Sequence, residues 1–173
     1  TPSPGEHTGR GSCEPKGIKV AEVDETGFRG PNQINHVALS VPADLLGEKG
    51  QSDLSSFFSE VFGWPELQMM TVNRQRMIFS IHSYSRFLFL LAEDVPMVCP
   101  PGLPGDHFGV QVESLEELKI LQARAEEFRS RDDRVEILPY EVEDHTVLKL
   151  HNFYVRYLLP LSVEVQYFEL TPG

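Results

Sequence analysis

Two short stretches of this chain repeat one another. His36-Val37-Ala38-Leu39-Ser40-Val41 and His107-Phe108-Gly109-Val110-Gln111-Val112 both open on a histidine and alternate a polar or small residue with an apolar one, and the second begins 71 residues after the first. Each is followed by a helix-like run and then by more strand-like sequence. Such a repeat constrains the architecture before any single residue is interpreted. Two copies of one unit paired about a local two-fold would bring their histidines together.

The first copy predicts a strand at Ile34–Val41 and a turn over Pro42–Gly50. A helix capped by Ser52 or Asp53 follows and runs to about Phe62, with Leu54, Phe57, Phe58, Val61 and Phe62 at steps of three and four. Gly63-Trp64-Pro65 ends it, and Glu66–Val72, Arg76–His82 and Phe87–Leu91 read as three strands. The stretch from Val95 to Gly105 is rich in proline and glycine and reads as a connector. The second copy predicts strand His107–Glu113, a helix from Leu115 to about Arg129 opened by a Ser114/Glu117 capping box, and strands Val135–Glu141, Val147–Tyr154 and Val163–Leu170. Tyr157–Leu161 fits no element. Residues 1–33 lack apolar periodicity and read as an extended arm.

The chain is therefore an α+β protein of one domain, 34–170, made of module one (34–94), connector (95–105) and module two (106–170). Its 173 residues, 40% hydrophobic with 11 Phe, are enough for one core. A net charge of −11, from 26 acidic and 15 basic residues, argues against nucleic acid and anionic lipid as partners. No apolar run approaches membrane-spanning length, and the N-terminal stretch is polar where a secretory signal would be basic and then apolar, so a cytoplasmic location is expected. Cys13 and Cys99 have no metal-type spacing.

Strand alternation places Val37, Leu39 and Val41 on one face with His36, Ala38 and Ser40 on the other; Phe108, Val110 and Val112 oppose His107, Gly109 and Gln111 in the same way. In the last strand Glu164 and Gln166 share the less apolar face.

Two successive βαβββ modules resemble the vicinal-oxygen-chelate superfamily, also called the glyoxalase/bleomycin-resistance/dioxygenase superfamily, over residues 34–170. The resemblance implies a cup-shaped mixed sheet with helices outside. It also implies metal ligands on the first and last strands of the modules, which are His36, His107 and Glu164 here. The fourth ligand position, aligned with Leu88, is apolar. Two imidazoles and one carboxylate match the facial triads of non-heme Fe(II) sites, so Fe(II) is the favoured ion, with Zn, Ni or Mn as alternatives.

His145, Phe153-Tyr154 and Glu164 are similar in order and spacing to an extradiol-dioxygenase motif, with Leu159-Pro160-Leu161-Ser162 in place of that family's acidic turn. The implied activity is metal-dependent chemistry on a small vicinal diol or hydroxy-carbonyl compound, extradiol dioxygenation first and isomerase or lyase chemistry second. Tyr154, His145 and His151 are the candidate proton-handling residues. A metal-free antibiotic-binding protein is the alternative, and a homodimer with modules exchanged between chains is left open.

Overall fold

The computed structural model describes residues 33–99, 101–145 and 147–170. The proposed arm and Cys13 lie outside them, apart from Gln33. Seven strands and two helices follow in the order β1 (His36–Val41), α1 (Glu48–Phe57), β2 (Arg76–Ile81), β3 (Ser83–Ala92), β4 (His107–Gln111), α2 (Leu115–Arg131), β5 (Val135–Asp144), β6 (Leu148–Tyr157) and β7 (Ser162–Leu170). They form a three-stranded sheet, β1-β3-β2, and a four-stranded sheet, β4-β7-β6-β5.

The repeat is borne out in the pairing. In each module the first strand runs parallel to the last, β1 with β3 and β4 with β7, and the remaining contacts are antiparallel. A parallel pair needs a crossover, and α1 and α2 supply it.

Module one departs from its expected outline in two places. The helix begins at Glu48, after a 3-10 turn at Ala43–Leu46, so Ser52 and Asp53 lie inside it. Asp53 does not cap the helix; its carboxylate accepts from Lys49 (2.7 Å) and Arg134 (2.9 Å). The helix continues as a π-helical turn, Phe58–Phe62, and stops at Gly63, whose φ of 68° is left-handed and suits glycine. The second departure is Glu66–Val72. It makes one bridge, Glu66 to Phe79, and then coils into a 3-10 turn at Gln68–Met70 that leaves Met69 fully exposed. Module one thus has one strand fewer than module two.

The apolar faces read from the sequence meet in one core. Leu39, Leu54, Phe57, Phe58, Leu88, Leu118, Phe128, Phe153, Tyr157 and Val163 belong to a single buried cluster drawn from both modules. Phe57 packs its ring on Phe128 (5.3 Å) and Tyr157 (4.7 Å), edge-on and tilted. Polar contacts close the same junction: Arg134 reaches Asp53, Asp132 and the Tyr157 hydroxyl, and Arg131 pairs with Glu60. In α2, Ser114 accepts from the Glu117 amide (3.1 Å), while Glu117 accepts from the Glu113 amide (2.8 Å). Tyr157 ends β6, and the awkward stretch after it is a tight turn with Leu158 at φ 58°.

Candidate functional site

With helices on one face of the four-stranded sheet, the even-numbered residues of β6 and β7 occupy the other. Cross-strand pairs Tyr154–Glu164 and Asn152–Gln166 lie side by side there, and β4 adds Gly109 opposite Glu164 and His107 opposite Ser162. The connector covers this end: the Ser162 hydroxyl donates to the Pro104 carbonyl, and Arg156, bound to Glu136, reaches the Cys99 sulfur. Glu164 is 5% exposed as a result.

The two Glu164 oxygens have different surroundings. Oε1 accepts from the Tyr154 hydroxyl (2.7 Å) and the Asn152 amide (3.1 Å). Oε2 faces His107 Nε2 at 3.5 Å, longer than an ordinary hydrogen bond. His107 Nδ1 lies 3.0 Å from the Gly105 carbonyl, which can only accept, so that nitrogen carries the proton. In the neutral ring the Nε2 lone pair then points at a carboxylate oxygen that no other group engages. Two acceptors held face to face in this way suit a cation, and the carbonyl partner on Nδ1 is the usual outer support of a metal-binding histidine.

Tyr154 sits edge-on to His107, with ring centroids 5.2 Å apart. Burial above all, reinforced by its hydrogen bond to Glu164 and that residue's charge, pushes the phenol well above its ordinary pKa. It keeps its proton and donates. The Asn152 amide also donates to Glu143 (3.1 Å), whose other oxygen is 3.2 Å from His145 Nε2. His145 is therefore connected to Glu164 only through Glu143 and Asn152, at the exposed end of the chain of contacts. Asn152 was missed as a candidate, although its even position between the Tyr154 and Leu150 rows was readable from strand alternation.

His151 lies on the other face. Its Nδ1 is 2.7 Å from the Tyr140 hydroxyl and its Nε2 2.8 Å from Glu169, which fully employs the ring away from Glu164. That placement takes it out of contact with the expected ligands because strand neighbours alternate. His36 is also apart. Its ring stacks on Phe87 (4.9 Å) and its Nδ1 contacts Asn35 Oδ1 (2.8 Å).

Among the described residues no three His, Cys, Asp or Glu side chains are placed to hold one ion, so the expected triad does not form within the chain. The reason is topological. β1 and β4 are each the edge of a separate sheet, and a cavity of about 910 Å³, lined by Asn35, His36 and Val37 on one side and Val110, Gln111 and Val112 on the other, lies between them.

The ladder also corrects the fourth position. His36 pairs with Phe87 as His107 pairs with Ser162, so Ala38–Phe89 is the counterpart of Gly109–Glu164. Phe89, not the fully buried Leu88, occupies the place of Glu164, and it is apolar as expected.

This architecture is the vicinal-oxygen-chelate fold. Solved structures with it include the lactoylglutathione lyase of Agrobacterium tumefaciens, 19% identical, with a TM-score of 0.55 over 80% of this chain and 95% of that one. The fosfomycin resistance protein FosX of Listeria monocytogenes is 15% identical, with a TM-score of 0.53 over 79% and 91%. An integron cassette protein from the Halifax Harbour sewage outfall metagenome is 15% identical, with a TM-score of 0.55 over 79% and 99%. No family profile matches the chain, and no curated protein is significantly similar to it. At these identities the likeness establishes the fold, and function rests on the site.

Proposed function

We propose that this protein is a divalent-metal-dependent enzyme acting on a small vicinal diol or hydroxy-carbonyl compound. The observation that carries the reading is the pair of facing acceptors, His107 Nε2 and Glu164 Oε2, each oriented by hydrogen bonds at its other atom. These two residues would hold the ion, and His36 of a second copy would complete the triad by entering along the open β1 and β4 edges. The ion, when bound, supplies Lewis-acid polarisation of a substrate's adjacent oxygens.

The chain's own groups do the rest. Asn152 and Tyr154 hold Glu164 Oε1, leaving Oε2 for the ion. The Tyr154 phenol retains a proton beside the site, and Gly109 leaves room over it: a Cβ there would stand 3.1 Å from Gln166 Oε1 and 3.7 Å from Glu164 Oε2. The nearest base outside the ligand pair is the Glu143–His145 couple. Fe(II) loading would favour extradiol-type dioxygenation, as the His145, Tyr154 and Glu164 spacing suggests; Zn, Ni or Mn would favour isomerase or lyase chemistry.

The test is elemental analysis of tag-free protein purified anaerobically, beside Glu164→Ala, with sedimentation to determine molecular mass. About one ion per chain in a dimer, lost in the variant, is the expected result. No uptake after reconstitution would overturn the reading. It would favour the second one, a metal-free ligand-binding protein of the antibiotic-resistance type, which is supported by the convergence of only two ligands within one chain and by Phe89 at the fourth position.

A further inference from the structure

We infer that the substrate bound at the His107–Glu164 pair carries an apolar tail, not an anionic one, lying along the Leu150–Phe168 row of the four-stranded sheet. This rests on the metal-site reading above and adds the substrate's chemical character.

The rows on the Glu164 face change in kind along the strands. Arg156 and Ser162 lie at the covered end, followed by Tyr154–Glu164 and Asn152–Gln166. Leu150–Phe168 and Leu148–Leu170 come next in the same unbroken register. Four residues of strand separate Glu164 from Phe168, about 13 Å. A ligand anchored at Glu164 meets leucine and phenylalanine at that distance.

The stretch is open to such a group. β4 ends at Gln111, paired with Gln166, so neither Phe168 nor Leu170 has a β4 partner, and they are 36% and 52% exposed. Apolar side chains presented in adjacent rows beside a polar anchor suit an amphiphilic ligand.

Charge decides between an apolar and an anionic tail. On this face Arg156 is the described cation, and Glu136 holds it through two contacts, Nε to Oε1 (3.0 Å) and Nη2 to Oε2 (2.7 Å). Lys149 belongs to the opposite face by alternation. Glu141 and Glu143 border the Asn152 and Leu150 rows on β5. A carboxylate or phosphonate tail would meet these carboxylates, whereas an alkyl or aryl tail would cover Leu150 and Phe168.

Hydroxamates test this, because they chelate a divalent ion through two adjacent oxygens and can be given any tail. The probes are acetohydroxamate, octanohydroxamate and succinomonohydroxamate, titrated by calorimetry into full-chain protein loaded with Mn(II), whose uptake is measured first. Octanohydroxamate should bind at least about 30-fold tighter than acetohydroxamate, since even partial burial of its added methylenes is worth that much, and succinomonohydroxamate should bind more weakly than acetohydroxamate.

Phe168→Gln and Leu170→Gln, both at exposed positions, should reduce the octanoyl advantage at least about fivefold while leaving acetohydroxamate binding and Mn(II) uptake unchanged. Equal binding of the acetyl and octanoyl probes by Mn(II)-loaded protein would overturn the inference and spare the metal site. So would an octanoyl advantage untouched by either variant, or a shift of Phe168→Gln from dimer to monomer, which would assign the row to subunit contact. Failure of Mn(II) uptake would overturn the metal site, and the inference with it.

Discussion

The two modules share a backbone plan and use it for different ends. In module one, the face bearing His36 is aromatic: the histidine stacks on Phe87, and Phe87 meets Phe89 edge-on at 6.4 Å. In module two, the same positions hold Ser162 and Glu164, and the face is a hydrogen-bonded network of Tyr154, Asn152, Glu143 and His145 around the carboxylate. The comparison teaches that a histidine at a strand start becomes a candidate ligand through its cross-strand neighbours. His107 faces a carboxylate, while His36 faces a phenylalanine.

The sharpest way to break the contrast is to remove its centre. Glu164→Ala should lower divalent-metal affinity by at least about 100-fold, beyond the range seen when only an outer support is lost, as read by Mn(II) titration with EPR. Unchanged affinity would make the modules equivalent. The converse is to write module two's pattern into module one. Phe87→Ser combined with Phe89→Glu should raise Mn(II) capacity toward two ions per chain; a capacity fixed at one would mean that the Tyr154 and Asn152 support is indispensable.

That support can be weakened alone. Tyr154→Phe should reduce metal affinity about tenfold with unchanged circular dichroism, and full retention would reduce the phenol to packing.

The junction between the modules offers a smaller effect. Arg134→Ala should cost about 1 kcal/mol, since its pairs are partly exposed and screened, as measured by urea unfolding at pH 7. Hydrogen bonding by Arg134 holds Asp132 and Asp53 below the usual carboxylate value, with Lys49 the first contributor at Asp53. Depressed carboxylates stabilise the fold fully above their unfolded pKa, about 4, and lose that contribution as pH falls through the lowered values. The difference between wild type and Arg134→Ala should therefore shrink below about pH 4; a constant difference would mean that these carboxylates are not the partners that matter. The smallest effect is expected of Gly109→Ala, where the flexible Gln166 amide can yield to the new methyl, changing metal affinity by no more than about threefold.

Module two was more readable from the sequence than module one. Its helix carried its own capping box, and its strands alternated cleanly. In module one the helix start was set by a preceding 3-10 turn, and Asp53 was drawn to the distant Arg134 instead of capping. Glu66–Val72 has strand-like composition but ends its pairing after one bridge. These outcomes depend on partners remote in sequence, which local periodicity does not register.

At the candidate site, alternation alone put His107, Tyr154 and Glu164 on one face, where the structure also has them. Alternation alone likewise implied that His151, one residue out of phase with Tyr154, faces away. The pairing of Phe89 with Ala38, the role of the Gly105 carbonyl in setting the His107 tautomer, and the separation of His36 from His107 were decided only by tertiary structure. Periodicity of two assigns a side chain to a face, a property each strand carries by itself. Register, edge position and the gap between two sheets depend on which strands meet, and that choice belongs to the folded chain as a whole.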